Sequence, residues 1–366
     1  MRKAQRAFLV VCALLLTQLG SLIAPAYACG CGAMVPGRQA TMGVDRETSV
    51  VRWDGATEQI VMRFTVNGDA REAAWIMPVP GRADVELGDP ALFSELDDLT
   101  APEFRTRYYF WPRGDDWPFA PDGDGLSAGA PLPGSTAPPV GVVGRERLGD
   151  FDVARLTATD PDALGDWLDT NGFDLPADLA TGLRPYVERE WEYVAVRLAP
   201  KEDGATLSGT LDPLRISFGS DRLIYPMRLS RLADQPQSLG LYVLADHRME
   251  PRDAIGGDAP KVRFAGRVPA AGSPAVGELT GGGRPFLTAI EQYFPQPERI
   301  DADHELRATA SDTPYRQIHY DDKLREFAGV PAWLVTVGGV FAVLILLVVA
   351  TAVLRVRRRP SVTPAA

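Results

Sequence analysis

The chain has 366 residues, 38 of them basic and 48 acidic, for a formal net charge of −10. Setting aside three basic residues in the first 28 positions and four after position 354 leaves 31 basic against 48 acidic side chains from Cys29 to Val330. That net −17 disfavours nucleic acid and anionic headgroups as partners. Three cysteines, Cys12, Cys29 and Cys31, are too few for a disulfide scaffold, so the fold has to rest on a hydrophobic core.

The N-terminus carries Arg2, Lys3 and Arg6, then an apolar run from Ala7 to Leu16, then Gly20, Pro25 and the small-residue site Ala26-Tyr27-Ala28. This order predicts a secretory signal over 1–28, with an uncleaved anchor as the competing reading. Cleavage would leave Cys29 at the new N-terminus. Bulky Tyr27 fits a lipoprotein signal poorly. Cys29 and Cys31 are therefore read as a candidate disulfide, a bond to a partner or unused thiols. Catalysis by the pair is the lesser reading, because a C-x-C outside a strand-to-helix setting is a weak redox signal.

Gln59 to Val66 predicts a strand, Asn67-Gly68-Asp69 a turn and Ala73 to Val79 the returning strand of a hairpin. Asp89-Pro90 starts a short helix with Leu92, Phe93, Leu96 and Leu99 on one face, ended by Pro102. Phe104 to Trp111 reads as a strand. The Pro112–Gly144 stretch is rich in Pro, Gly, Ala, Ser and Asp and has no core-forming power. Phe151 to Leu156 alternates like a strand. Asp160-Pro161 opens a helix whose Leu164, Trp167 and Leu168 form the expected core stripe, closed by Asn171-Gly172. A helix interrupted by Pro185, a strand from Trp191 to Leu198, a second hairpin (Leu214–Phe218 with Leu223–Leu229) and a strand from Leu239 to Ala245 follow.

From Pro295 the sequence is polar and weakly periodic up to Ala332–Leu354, 23 residues without a charge. At about 1.5 Å per residue such a run crosses a hydrocarbon core of about 30 Å. Trp333 marks one edge, and Arg355, Arg357, Arg358 and Arg359 mark the other, which the positive-inside rule assigns to the cytoplasm. The predicted fold class is α+β: mainly antiparallel sheet with short helices in the ectodomain, plus one C-terminal transmembrane helix. The predicted organisation is a signal (1–28), a first β-rich half (29–111), a Pro/Gly-rich loop or linker (112–144), a second α+β half (145–294), a membrane-proximal stalk (295–330), the transmembrane helix (331–354) and a short basic cytoplasmic tail (355–366).

Several stretches in order, "ACGCG", "AAWIMPVPG" with "DPALFSEL", "FDVARLTATDPDALGDWLDTNGFDLP", "PYVEREWEYVAVRL" and "LRISFGSDRLIYPMRLS", resemble the bacterial family called domain of unknown function 2330. The resemblance covers roughly Cys29 to Ala245, and Phe151 to Pro176 is its most specific part. It implies an extracytoplasmic location and brings no activity, cofactor or catalytic residue with it.

The chemical motifs are sparse. Gly125-Leu126-Ser127-Ala128-Gly129 matches G-x-S-x-G but lies in the Pro/Gly-rich stretch, without the strand and helix a nucleophile elbow needs. Asp122 and Asp124 lack the ligand spacing of a calcium loop. His304 and His319 are flanked by acids but lack metal-site spacing, and a surface role is the expectation for both. With His247 they are the only histidines, which lowers the prospect of a histidine-based hydrolase. Glu188, Glu190 and Glu192 read as a solvated edge. Tyr108, Tyr109, Trp111 and Trp117 form a candidate interaction surface, with half of the strand's aromatics expected to point into a core.

The first functional reading is therefore a single-pass, membrane-anchored extracytoplasmic protein, a binding or assembly module at the cell envelope. Its partners would be the membrane and an envelope polymer or membrane protein, with no nucleic acid, cofactor or metal. The second reading is a carboxylate-dependent envelope hydrolase. A cleft with two convergent, perturbed carboxylates would favour the enzyme, and an exposed aromatic patch without one would favour binding.

Overall fold

In the computed structural model, which describes residues 32–37, 40, 42–117, 147–148, 151–156, 161–199, 205–269 and 272–357, the run Ala73 to Val79 is buried at every position. Its place in the molecule follows from that pattern. A strand apolar on both faces needs a core on each side.

The chain divides into two compact units. The first comprises Met1–Ala101 and Val140–Gln317, and the second Pro102–Pro139 and Ile318–Ala366. In chain order the strands are β1 (Ala33–Pro36), β2 (Met42–Trp53), β3 (Thr57–Gly68), β4 (Ala73–Val79), β5 (Ala83–Leu87), β6 (Glu103–Tyr109), β7 (Arg147–Leu148), β8 (Phe151–Leu156), β9 (Glu192–Leu198), β10 (Gly209–Thr210), β11 (Leu214–Gly219), β12 (Leu223–Tyr225), β13 (Gln237–Ala245), β14 (Met249–Pro251), β15 (Lys261–Arg267), β16 (Phe286–Phe294), β17 (His304–Ala308), β18 (Tyr315–Arg316), β19 (Ile318–Leu324), β20 (Glu326–Phe327) and β21 (Val330–Pro331). The α-helices are Ala91–Thr100, Pro161–Thr170, Ala177–Val187, Pro274–Leu279 and Ala332–Arg357.

The first unit is built on a large sheet of order β18-β15-β16-β13-β2-β3-β11-β5, with β10 also on β3. Every junction is antiparallel except β13 with β2. A second antiparallel sheet runs β1-β4-β9-β8-β7, and a third runs β12-β17-β14. Alternation along β4 links two cores. Ala73, Trp75, Met77 and Val79 join the cluster that includes Ile60, Phe64, Ile216 and Val243 of the large sheet. Ala74 and Ile76 join Leu164, Leu168, Leu179, Leu183 and Tyr186 of the helices Pro161–Thr170 and Ala177–Val187. The opposite face of the large sheet, including Val50, Val61 and Leu244, is covered by Leu92, Phe93 and Leu96 and by Val276 and Leu279 of two further helices. The layers are thus helix, large sheet, second sheet, helix. The α+β class holds, with antiparallel pairing dominant.

Neither predicted hairpin forms. β3 pairs with β2, β11 and β10, while β4 pairs with β1 and β9 in the other sheet. The chain changes sheets between them because β4 is wanted by two cores and an outer hairpin arm could serve only one. Likewise β11 stays in the large sheet and β12 pairs with β17. Ile224 N–H of β12 donates to the buried Glu58 Oε2 at 3.2 Å.

Local signals set the helices. Asp89 Oδ1 accepts from Ala91 N at 2.8 Å and its carbonyl from Leu92 N at 3.1 Å, which satisfies exposed donors of the first turn. Gly172, at φ 86°, provides the left-handed exit after Pro161–Thr170. In that helix Leu164 and Leu168 are buried, but Trp167 is half-buried at the cluster's edge, and Phe173 and Tyr186 fill its centre. Within 295–330, where the hydropathy is weakly periodic, β17 and β18 add strands to the first unit.

The second unit has a different character. β6 and β19 make a parallel two-stranded ribbon, β20 and β21 a small antiparallel pair, and Ala332–Arg357 a long helix. From Ala332 to Arg355 that helix is long and apolar enough to cross a membrane, and its side chains beyond the first two turns are exposed. Cys29, Cys31, Arg358, Arg359, the G-x-S-x-G stretch, Asp122 and Asp124 lie outside the described residues.

Candidate functional site

Buried polar groups are the first place to look for chemistry. Glu58 is fully buried. Its Oε2 takes the Ile224 N–H, Oε1 has no partner, and burial, opposed by that hydrogen bond, holds its carboxyl well above the usual carboxylate range. Tyr225 donates to Ser49 Oγ at 2.6 Å and lies against Glu47, joining β12 to β2. Asp303 accepts from the Tyr186 hydroxyl at 2.6 Å and from Met227 N and Arg228 N at 3.0 Å each. Burial, reinforced by the Asp303 charge, pushes the Tyr186 hydroxyl well up. His304 is 1% exposed, neither ring nitrogen has a partner, and burial pulls its pKa down to about 4. The surface role expected of His304 is therefore wrong: it is a neutral core residue, packed near Phe294. His247 pairs with Asp312 at 3.1 Å, and His319 stacks on Phe104 with ring centroids 5.6 Å apart.

None of these groups lines either of two ligand-sized clefts. One cleft, of about 340 Å³, is lined by Asp258, Lys261, Glu291 and Tyr293 among others. Its Glu291 is bonded to Arg263 at 2.5 Å. The other, of about 380 Å³, is walled by Leu164, Leu175, Leu183, Val187 and Tyr193, with Arg184 and Glu188 as its charged members. The Tyr193 hydroxyl donates to Leu183 O at 3.3 Å, and burial pushes its pKa up to about 12. Among the described residues no group of three or more His, Cys, Asp or Glu is placed to hold a metal ion.

The aromatic residues singled out in the sequence lie together in the second unit. Tyr108, Trp111 and Trp117 are 59%, 61% and 49% exposed. Tyr109 is half-buried: its hydroxyl donates to Asp116 Oδ2 at 2.6 Å, and the Arg113 guanidinium covers its ring at 4.5 Å. The expectation that half of the strand would be core fails, because Glu103 to Tyr108 are exposed on both faces of the ribbon. Phe104 and Phe327 add to the exposed surface. Trp333, by contrast, is buried against Trp117 with centroids 5.3 Å apart. Arg355 and Arg357 lie at the far end of the helix.

Sequence reasoning missed Glu58 and Asp303. Glu58 did carry a signal: it shares the alternating phase of Ile60, Met62 and Phe64, the inward face of β3. Asp303 carried none, since its partners come from residues 75 to 117 positions away.

These features define a class: an α+β protein, mainly antiparallel, ending in a helix long and apolar enough to cross a membrane. Within it the chain belongs to the bacterial family described as "uncharacterized protein conserved in bacteria (DUF2330)", whose model matches residues 25–307. No curated protein and no solved structure matches the chain.

Proposed function

We propose that this is a single-pass, membrane-anchored extracytoplasmic protein whose first unit binds an envelope component. Residues 1–28 act as the secretory signal, Ala332–Arg357 crosses the membrane, and Arg355 to Arg359 keep the tail in the cytoplasm. The observation that carries the reading is the apolar helix, exposed on every turn, which would be insoluble in water without a bilayer around it. For binding, the apolar cleft between Leu164 and Tyr193 is the best-suited site. It has ligand size, mostly aliphatic walls and two charged residues to orient an amphipathic molecule.

A photo-crosslinking residue in place of Ala180, one of the cleft-lining residues, tests this in intact cells. The reading predicts an adduct with an apolar or amphipathic envelope molecule, lost when Leu183→Trp fills the cleft. Adducts with cytoplasmic components alone would overturn it.

A further inference from the structure

Parallel strands are ordinarily covered on both faces. The ribbon of the second unit is not: β6 is exposed from Glu103 to Tyr108, and β19 from His319 to Lys323. Its direction is informative. Because the strands run the same way, Glu103 lies opposite Ile318 and Tyr109 opposite Leu324. Over seven residues at about 3.3 Å each, the two ends of the ribbon are about 20 Å apart.

The Tyr109 end is the one joined to the long helix. Ala332 N, in the first helical residue, donates to Arg325 O at 2.8 Å, and Arg325 N donates to Tyr109 O at 2.8 Å. Trp117 packs against Trp333 in the first turn, with tilted rings whose centroids are 5.3 Å apart. The parallel register therefore collects Tyr108, Trp111, Trp117 and Phe327 where the helix begins and leaves them largely exposed. Amphipathic Tyr and Trp rings at the end of a membrane-spanning helix, with the apolar Phe327 ring beside them, are placed as at a lipid–water interface. Charge argues the same way. Residues 102–117 and 318–331 hold five basic and six acidic side chains, and Arg107 and Arg113 both reach Asp322. Among the described residues of this unit no cationic patch is placed to hold anionic headgroups.

We propose that Tyr108, Trp111, Trp117 and Phe327 form an aromatic foot lying in the outer lipid–water interface of the membrane that Ala332–Arg357 crosses. The bilayer surface then covers the Tyr109 end of the ribbon. The inference rests on the reading of that helix as a membrane span.

The test is lipid quenching of tryptophan emission in the full chain, reconstituted in zwitterionic vesicles whose phosphatidylcholine carries brominated acyl chains. Trp111→Phe should lower the lipid-quenched emission by about one third, the share of one ring among Trp111, Trp117 and Trp333. Raising salt to about 1 M, where the Debye length is about 3 Å, should leave the quenching in place. The Trp333→Phe variant separates the two ideas. If Trp333→Phe lowers the quenched emission and Trp111→Phe does not, the anchor stands and the foot is refuted. If neither lowers it, the helix is not in the bilayer and both readings fall. Quenching of Trp111 that salt abolishes would refute the aromatic basis of the contact.

Discussion

Protonating His304 should destabilise the first unit. The ring is 1% exposed with no partner on either nitrogen, and burial lowers its pKa from 6.5 to about 4 despite the opposing pull of Asp253 and Asp303. The sign follows from proton counting. Between about pH 4 and 6.5 the unfolded chain binds a proton that the folded chain refuses, so stability rises with pH across that window and is complete above it. A drop from 6.5 to about 4 amounts to about 3 kcal/mol, at about 1.4 kcal/mol per tenfold change in proton affinity. His304→Leu removes the titration. It also removes two unmet hydrogen-bonding groups, so the variant should match or exceed the wild type at acidic pH. Denaturant unfolding of a segment spanning residues 29–330, at a series of pH values, reads this directly. The difference between variant and wild type should grow by about 3 kcal/mol as pH falls from about 6.5 to about 4. Glu58 titrates in both proteins and cancels in the difference. A constant difference across that range would refute the assignment of His304 as a neutral core residue.

Trp75→Ala, at a fully buried position of β4, should cost about 3–5 kcal/mol, and Trp167→Ala, half-buried, clearly less; thermal unfolding ranks them, and the reverse order would relocate the core. Glu58 has a raised folded pKa, so its contribution is full below about pH 4.5 and is lost as pH rises through the folded value. Glu58→Gln keeps an acceptor for Ile224 N–H and should therefore gain stability over wild type as pH rises; identical pH profiles would mean that burial does not raise the Glu58 carboxyl.

Elements were more legible in the sequence than their partners. Asp89-Pro90 and Asn171-Gly172 mark helix ends by local hydrogen bonding and backbone freedom, which a few adjacent residues decide. The helix Ala332–Arg357 is legible because its composition alone sets its solvent. Pairing is a long-range property. Ala73 to Val79 looks like a hairpin arm after Asn67-Gly68, yet its unbroken apolar run already called for two cores. The β6–β19 ribbon pairs Arg107 with Asp322, 215 positions apart, and no local pattern announces that. For the same reason the aromatic residues could be picked out in the sequence, but their position beside Trp333 could not.

The central claim is that a β-rich body faces away from the cytoplasm and is held by one C-terminal helix. Protease added to spheroplasts tests it most directly, with an epitope placed after Ala366 to follow the tail. The account predicts digestion of the first unit to a small membrane-bound fragment that keeps the epitope. Full protection of the first unit, with loss of the epitope, would contradict it.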